Sequence, residues 1–197
     1  MVESYPAPPW NMVGQLWLSL FRVSEPVDEQ RPKGMYGVAL VSYEPGSPLT
    51  YSELLVARVA DKPHKGVTVT DIWVDSPASM AGGRELWAIP KELADFTLKR
   101  NEGRLVDRAQ WSVSAEARQL AAARFRDTSR VAVRLPFSGD TVQPRDGDWV
   151  TASLTGSSRA LPCLGSWEFA ADGPLSWLAG RRPLLSVRMR DFRMSFG

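Results

Sequence analysis

Cysteine and histidine are almost missing from this 197-residue chain. The single cysteine, Cys163, excludes an internal disulfide, and with His64 as the lone histidine a Cys/His zinc cluster is excluded too. A surplus of one charge is also lacking. Lys plus Arg number 24 against 22 for Asp plus Glu, and no block of five or six like charges occurs, so nucleic acid is not an expected partner. No apolar stretch approaches the ~20 residues that span a bilayer. Residues 1–9 hold three prolines and an early acid, Glu3, with no basic region before an apolar one, which is unlike a secretory signal. A soluble, cytoplasmic protein is therefore expected, with no membrane partner and neither metal nor other cofactor. Lysine is scarce as well: Lys33, Lys62, Lys65, Lys91 and Lys99 stand against a majority of arginine.

Period-two alternation is what the chain has in abundance. Leu16, Leu18 and Leu20 alternate with Trp17, Ser19 and Phe21; Val67, Val69 and Asp71 with Thr68, Thr70 and Ile72; Val131, Val133 and Leu135 with Ala132 and Arg134. Such alternation reads as strands with one face inward. Similar signals run over 35–43, 51–60, 104–113, 148–155, 159–169 and 184–196, separated by Gly, Pro, Asp and Ser clusters. In the last of these Ser186, Arg188 and Arg190 are expected on a wet face opposite Val187 and Met189. Two short helices are expected. One starts at Pro90 and carries Lys91 in its first turn; the other starts near Ser114 and runs through the alanines to Phe125. The fold class is mainly β (α+β): an antiparallel closed or cone-shaped barrel or sandwich with two short helices, forming one domain over 1–197. Residues 25–34 read as a surface connection. Cys163 reads as a small buried hydrophobe, and His64, in Asp-Lys-Pro-His-Lys-Gly, as a turn histidine.

One segment carries chemistry. From Asp75 the chain reads Asp-Ser-Pro-Ala-Ser-Met-Ala-Gly-Gly-Arg-Glu-Leu-Trp-Ala-Ile-Pro-Lys. This resembles the acetoacetate decarboxylase family, whose members carry Gly-Arg-Glu, two or three mostly apolar residues and then Pro-Lys, the lysine being the Schiff-base residue. The matching positions here are Gly83, Arg84, Glu85, Pro90 and Lys91. Upstream, Tyr51-Ser52-Glu53 resembles the family's Tyr-x-Glu element. The resemblance is clearest from about Gly37 to Lys99, and it implies a lyase acting on a keto acid or related carbonyl compound, organised around Lys91. It further implies assembly into a homo-oligomer.

The chemistry explains these residue types. Decarboxylating a β-keto acid leaves an electron pair next to the former ketone, and a protonated imine formed with a lysine accepts it. The attacking amine must be neutral, whereas an unperturbed lysine titrates at about 10.4. Bringing it near neutrality disfavours the ammonium by about 5 kcal/mol, which burial among apolar groups supplies; this activated lysine is known from the acetoacetate decarboxylase family itself, so the expectation is inherited with the resemblance. Leu86, Trp87, Ala88 and Ile89 before Lys91, and Leu93 and Phe96 after it, are dry surroundings. The resemblance makes Glu53 the carboxylate that moves protons or orients substrate. Arg84, Trp87 and Tyr51 are candidate substrate-binding residues, Arg84 through its planar fork. Glu85 and Pro90 are expected to be structural.

Three positions depart from the family pattern. Glu92 stands where a second lysine follows the first, a second pocket glutamate would fall near Val38, and an N-terminal pocket arginine near Gly14. With eight tryptophans besides, these departures imply a larger, more apolar ligand. Two other functions remain open on the same scaffold: a tailoring enzyme, such as a cyclase in small-molecule biosynthesis, that works without an imine, and a binding protein without turnover.

Overall fold

The computed structural model describes residues 4–103, 106–129 and 131–197. Met1, Val2, Glu3, Arg104, Leu105 and Arg130, on which the reading of the N-terminus and of the strand over 104–113 partly fell, lie outside the described residues.

Among the described residues eleven strands form one continuous sheet: β1 (Trp10–Val23), β2 (Gly34–Tyr43), β3 (Tyr51–Val59), β4 (Val67–Val74), β5 (Lys91–Leu93), β6 (Asp95–Glu102), β7 (Asp107–Ala115), β8 (Arg118–Asp127), β9 (Arg134–Arg145), β10 (Asp148–Phe169) and β11 (Leu185–Phe196). β1 to β4 pair in succession, antiparallel. β4 meets β9 in parallel at Val67 and Thr141, β9 pairs with β10, β10 with β11, and β11 returns to β1. These pairings close a ring. β10 is 22 residues long, and beyond the ring its second half pairs with β8, which continues to β7 and β6 as a three-stranded outer leaf.

That topology gives β1 to β4 two covered faces. On one side Trp17, Phe21, Val38, Leu40, Leu54 and Val56 pack beneath Trp111, Val113 and Phe125 of the outer leaf. On the other, Met12, Val41, Tyr51, Val69 and Ile72 belong to a second apolar cluster inside the ring. The expectation of one inward face per strand is therefore corrected for this part of the sheet. Runs such as Val-Ala-Leu-Val in β2 are apolar throughout because neither face meets water.

Among the described residues one helix is present, α1 (Pro77–Trp87), besides a single 3-10 turn at Ser176–Leu178. Ser76 caps α1 by accepting from the Ser79 amide at 3.1 Å, with Pro77 in its first turn. It ends in a left-handed residue, Ala88 (φ 55°), whose amide returns to the Arg84 carbonyl. Both expected helices are corrected. Pro90 follows α1 instead of starting a helix, and Lys91 opens β5, paired in parallel with β4 at Ile72. Residues 118–127 are β8, entered by a tight turn with positive φ at Glu116 and Ala117. Within β8, Ala123 is buried and pairs with Trp111 and Trp167 on the two neighbouring strands, a short side chain between two large ones.

The wet face expected for β11 is also corrected. Ser186 and Arg188 are buried. Arg188 pairs with Asp127 at 2.8 Å and Asp107 at 3.5 Å, bonds Gln15 and lies 5.1 Å from the Trp17 ring centroid, so its buried charge is balanced, while its Nε makes no hydrogen bond among the described residues. Asp71 leaves the Val67–Val69 series through a register shift in β4 and bonds Arg31, while Ile72 turns into the ring. As expected, Cys163 is buried and residues 25–34 are mostly exposed. His64 sits in a loop with its ring against Trp149. No helix among the described residues is long and apolar enough to cross a membrane.

Candidate active site

Inside the ring lies a cavity of about 260 Å³. The strands line it by alternation: Tyr51, Glu53, Leu55 and Ala57 from β3, Val41 and Tyr43 from β2, Val67 and Val69 from β4. Trp10 and Met12 of β1 and Phe192, Met194 and Phe196 of β11 supply much of the remaining wall. Trp87 and Ile89, at and just after the end of α1, pack over the rim where β1 begins, with Trp87 edge-on to Trp10 and Phe196.

Lys91 enters this cavity from the first position of β5 and is only 4% exposed. Its Nζ donates to Ser79 Oγ at 2.9 Å, Glu53 Oε2 at 3.0 Å and Tyr51 Oη at 3.3 Å. Three acceptors are the full complement of a lysine amine. Glu53, also 4% exposed, accepts in addition from Tyr43 at 3.3 Å and Tyr51 at 3.4 Å. The two tyrosine rings lie 4.4 Å apart. Burial raises both phenols well above the ordinary tyrosine range, with the Glu53 charge adding to the effect, so both stay protonated and available as donors.

The local sequence explains why the amine reaches this place. A Cβ on Gly83 would fall 2.7 Å from Lys91 Cδ and 2.8 Å from Cε, and one on Gly82 would fall 2.8 Å from the Trp10 ring. The two glycines thus let α1 lie directly on the lysine chain and the tryptophan. The Ile89 amide bonds the Gly83 carbonyl and the Lys91 amide bonds the Ile89 carbonyl, fixing the turn into β5. Arg145 of β9 donates to the carbonyls of Arg84 and Glu85 at 2.8 Å and ties down the end of the helix.

Of the residues singled out from the sequence, Lys91, Glu53, Tyr51 and Trp87 come together at the cavity. Arg84 does not: its side chain is exposed on the outer side of α1, so its proposed contact with substrate in this cavity is corrected. Glu85 and Pro90 are exposed beside it, and the backbone carbonyls of residues 84 and 85, not their charges, hold the loop. Glu92 is exposed and alternates away from the cavity. Val38 faces the outer core, and a Cβ at Gly14 would collide with the Ser42 carbonyl, so neither position offers a charged group to the ring. Sequence reasoning missed Ser79 and Tyr43. Ser79 stands in the same segment, three residues after the cap, and Tyr43 ends an alternating strand, but nothing in one sequence aims either at Lys91.

A closed β-ring built around one buried lysine and its carboxylate is the class these features define. The chain belongs to the acetoacetate decarboxylase family, whose model matches residues 25–141, more than half of its length. No curated protein matches the chain. Several solved structures are similar. The enduracididine biosynthesis enzyme MppR complexed with pyruvate is 16% identical, with 97% of this chain and 89% of that one covered at a TM-score of 0.65. An acetoacetate decarboxylase from Legionella pneumophila is 17% identical over 98% and 85% of the two chains, TM-score 0.63. An acetoacetate decarboxylase-like enzyme from Sphingomonas wittichii RW1 is 15% identical over 98% and 92%, TM-score 0.65. At these identities the likeness shows a shared fold.

Proposed function

We propose that this protein is a lyase that joins Lys91 to the carbonyl carbon of a small-molecule substrate as an imine and makes or breaks a carbon–carbon bond beside it. The observation that carries this reading is the Lys91 amine, buried in an apolar cavity with Glu53 at 3.0 Å. The reactive form is reached from the ion pair by passing one proton from nitrogen to the adjacent carboxylate, which leaves a neutral amine next to a carboxylic acid. The amine attacks the carbonyl carbon; the carbonyl oxygen takes one proton from Glu53 and one from nitrogen and departs as water, leaving a protonated imine beside the Glu53 carboxylate. Glu53 then takes a proton from the carbon next to the imine, giving an enamine, and returns it. Ser79 and Tyr51 hold the nitrogen in position, and Tyr43 and Tyr51 orient the carboxylate.

Borohydride reduction in the presence of a panel of aldehydes, ketones and keto acids tests this. The expected result is a stable adduct mapped to Lys91 by mass spectrometry and absent from Lys91→Met. No adduct with any carbonyl compound would overturn the proposal.

A further inference from the structure

The charges in the cavity limit what can occupy it. Among the described residues, the acidic and basic side chains lining the cavity are Glu53 and Lys91, and they are paired with each other. Arg84, Arg145 and Glu92 all lie outside its lining. The remaining hydroxyls are already committed: Tyr43 and Tyr51 donate to Glu53, and Thr141 donates to the Ala152 carbonyl at 3.4 Å. Everything else on the wall is aliphatic, aromatic or thioether, including Trp10, Met12, Phe137, Met189, Phe192 and Phe196.

We infer that the Lys91 cavity takes an uncharged carbonyl compound with an apolar body, a ketone or aldehyde without a carboxylate, and that the bond rearranged beside the imine is not one that releases carbon dioxide. This rests on the imine reading given above. A protonated imine at Lys91 carries one positive charge, which Glu53 balances at hydrogen-bond distance. A carboxylate on the substrate is then a third charge in a dry ring, with no cation left to meet it and Glu53 repelling it, and its desolvation is uncompensated. An uncharged ketone brings no such penalty and gains from burying its apolar body against the aromatic wall. Deprotonation by Glu53 turns its imine into an enamine; the enamine carbon attacks the carbonyl carbon of a second molecule, whose oxygen takes the proton from Glu53. Water then cleaves the imine and returns the lysine. The sum is two carbonyl compounds joined as a β-hydroxy carbonyl compound, or the reverse cleavage, with no oxidant or reductant consumed.

The test compares matched probes on the wild-type protein. 4-Phenylbutan-2-one and hexan-2-one are set against acetoacetate, pyruvate and 5-oxohexanoate at equal concentration, with borohydride trapping at Lys91 and deuterium uptake from D2O beside the carbonyl as readouts. Both are expected to be at least tenfold greater for the two ketones. Equal or greater trapping with the keto acids overturns the uncharged-substrate inference and leaves the imine at Lys91 standing. If no probe is trapped, the imine reading fails and this inference fails with it.

Discussion

Replacing Glu53 by glutamine removes one charge from a pair separated by 3.0 Å, in which both residues are 4% exposed. The ammonium left behind is cut off from water and keeps only uncharged partners, the Ser79 and Tyr51 hydroxyls and the new amide oxygen. Removing one partner of a buried pair costs about 3–5 kcal/mol. At ~2–4 °C per kcal/mol for a domain of this size, Glu53→Gln should lower Tm by on the order of 10 °C. Lys91→Met leaves the opposite charge, but Glu53 keeps two tyrosine donors, so its cost should fall near the lower end, about 3 kcal/mol. The double variant holds no charge. It should be more stable than the sum of the single losses by about 2 kcal/mol, as expected for residues in direct contact. Urea unfolding followed by tryptophan fluorescence, with slopes compared across all four proteins, measures the cycle. Additive losses would refute the claim that these two groups stabilise each other as a charged pair.

Gly83→Ala places a methyl group against the middle of the Lys91 chain. The flexible chain yields first, so stability should fall by only about 1 kcal/mol, the low end for overpacking. Displacing the amine should cost trapping at Lys91 about 100-fold; unchanged trapping would contradict the cradle role of Gly83. For Cys163, burial pushes the thiol up to about 12, with the Asp127 charge adding to it. Because the thiolate is the reactive form, Ellman's reagent should react with the native protein at least ~100-fold more slowly at pH 8 than with an ordinary free thiol. The rate should climb through pH 10 without a plateau and become immediate in urea; a plateau near pH 8.5 would show an ordinary, accessible thiol.

Much of the ring was legible because alternation is a local property. β1, β2, β3 and β4 all fall on segments whose pattern declared them, and Tyr51, Glu53 and Lys91 were found through a motif. The misplaced helices show where local signals compete. Pro90 and Pro77 both suit the start of a helix, but Ser76 before Pro77 supplies the cap, and Gly82 and Gly83 hid the helix by lowering its intrinsic propensity. The alanines of β8 read as helical until Trp111 and Trp167 are seen on either side of them. The burial of Arg188 depends on Asp107 and Asp127, some sixty and more residues away in sequence, and Arg84 was assigned from a motif although its side chain is exposed and its carbonyl is held by Arg145. Such facts come from pairing between distant strands, which periodicity does not encode.

In β3, neighbouring residues answer to different demands: Glu53, Leu55 and Ala57 meet whatever ligand the ring holds, while Leu54 and Val56 hold the outer leaf in place. Selection acting on ligand choice can therefore exchange every second side chain of this strand and leave the intervening ones untouched. A library that varies Leu55 and Ala57 is accordingly a direct route to new ligand preferences without loss of the scaffold.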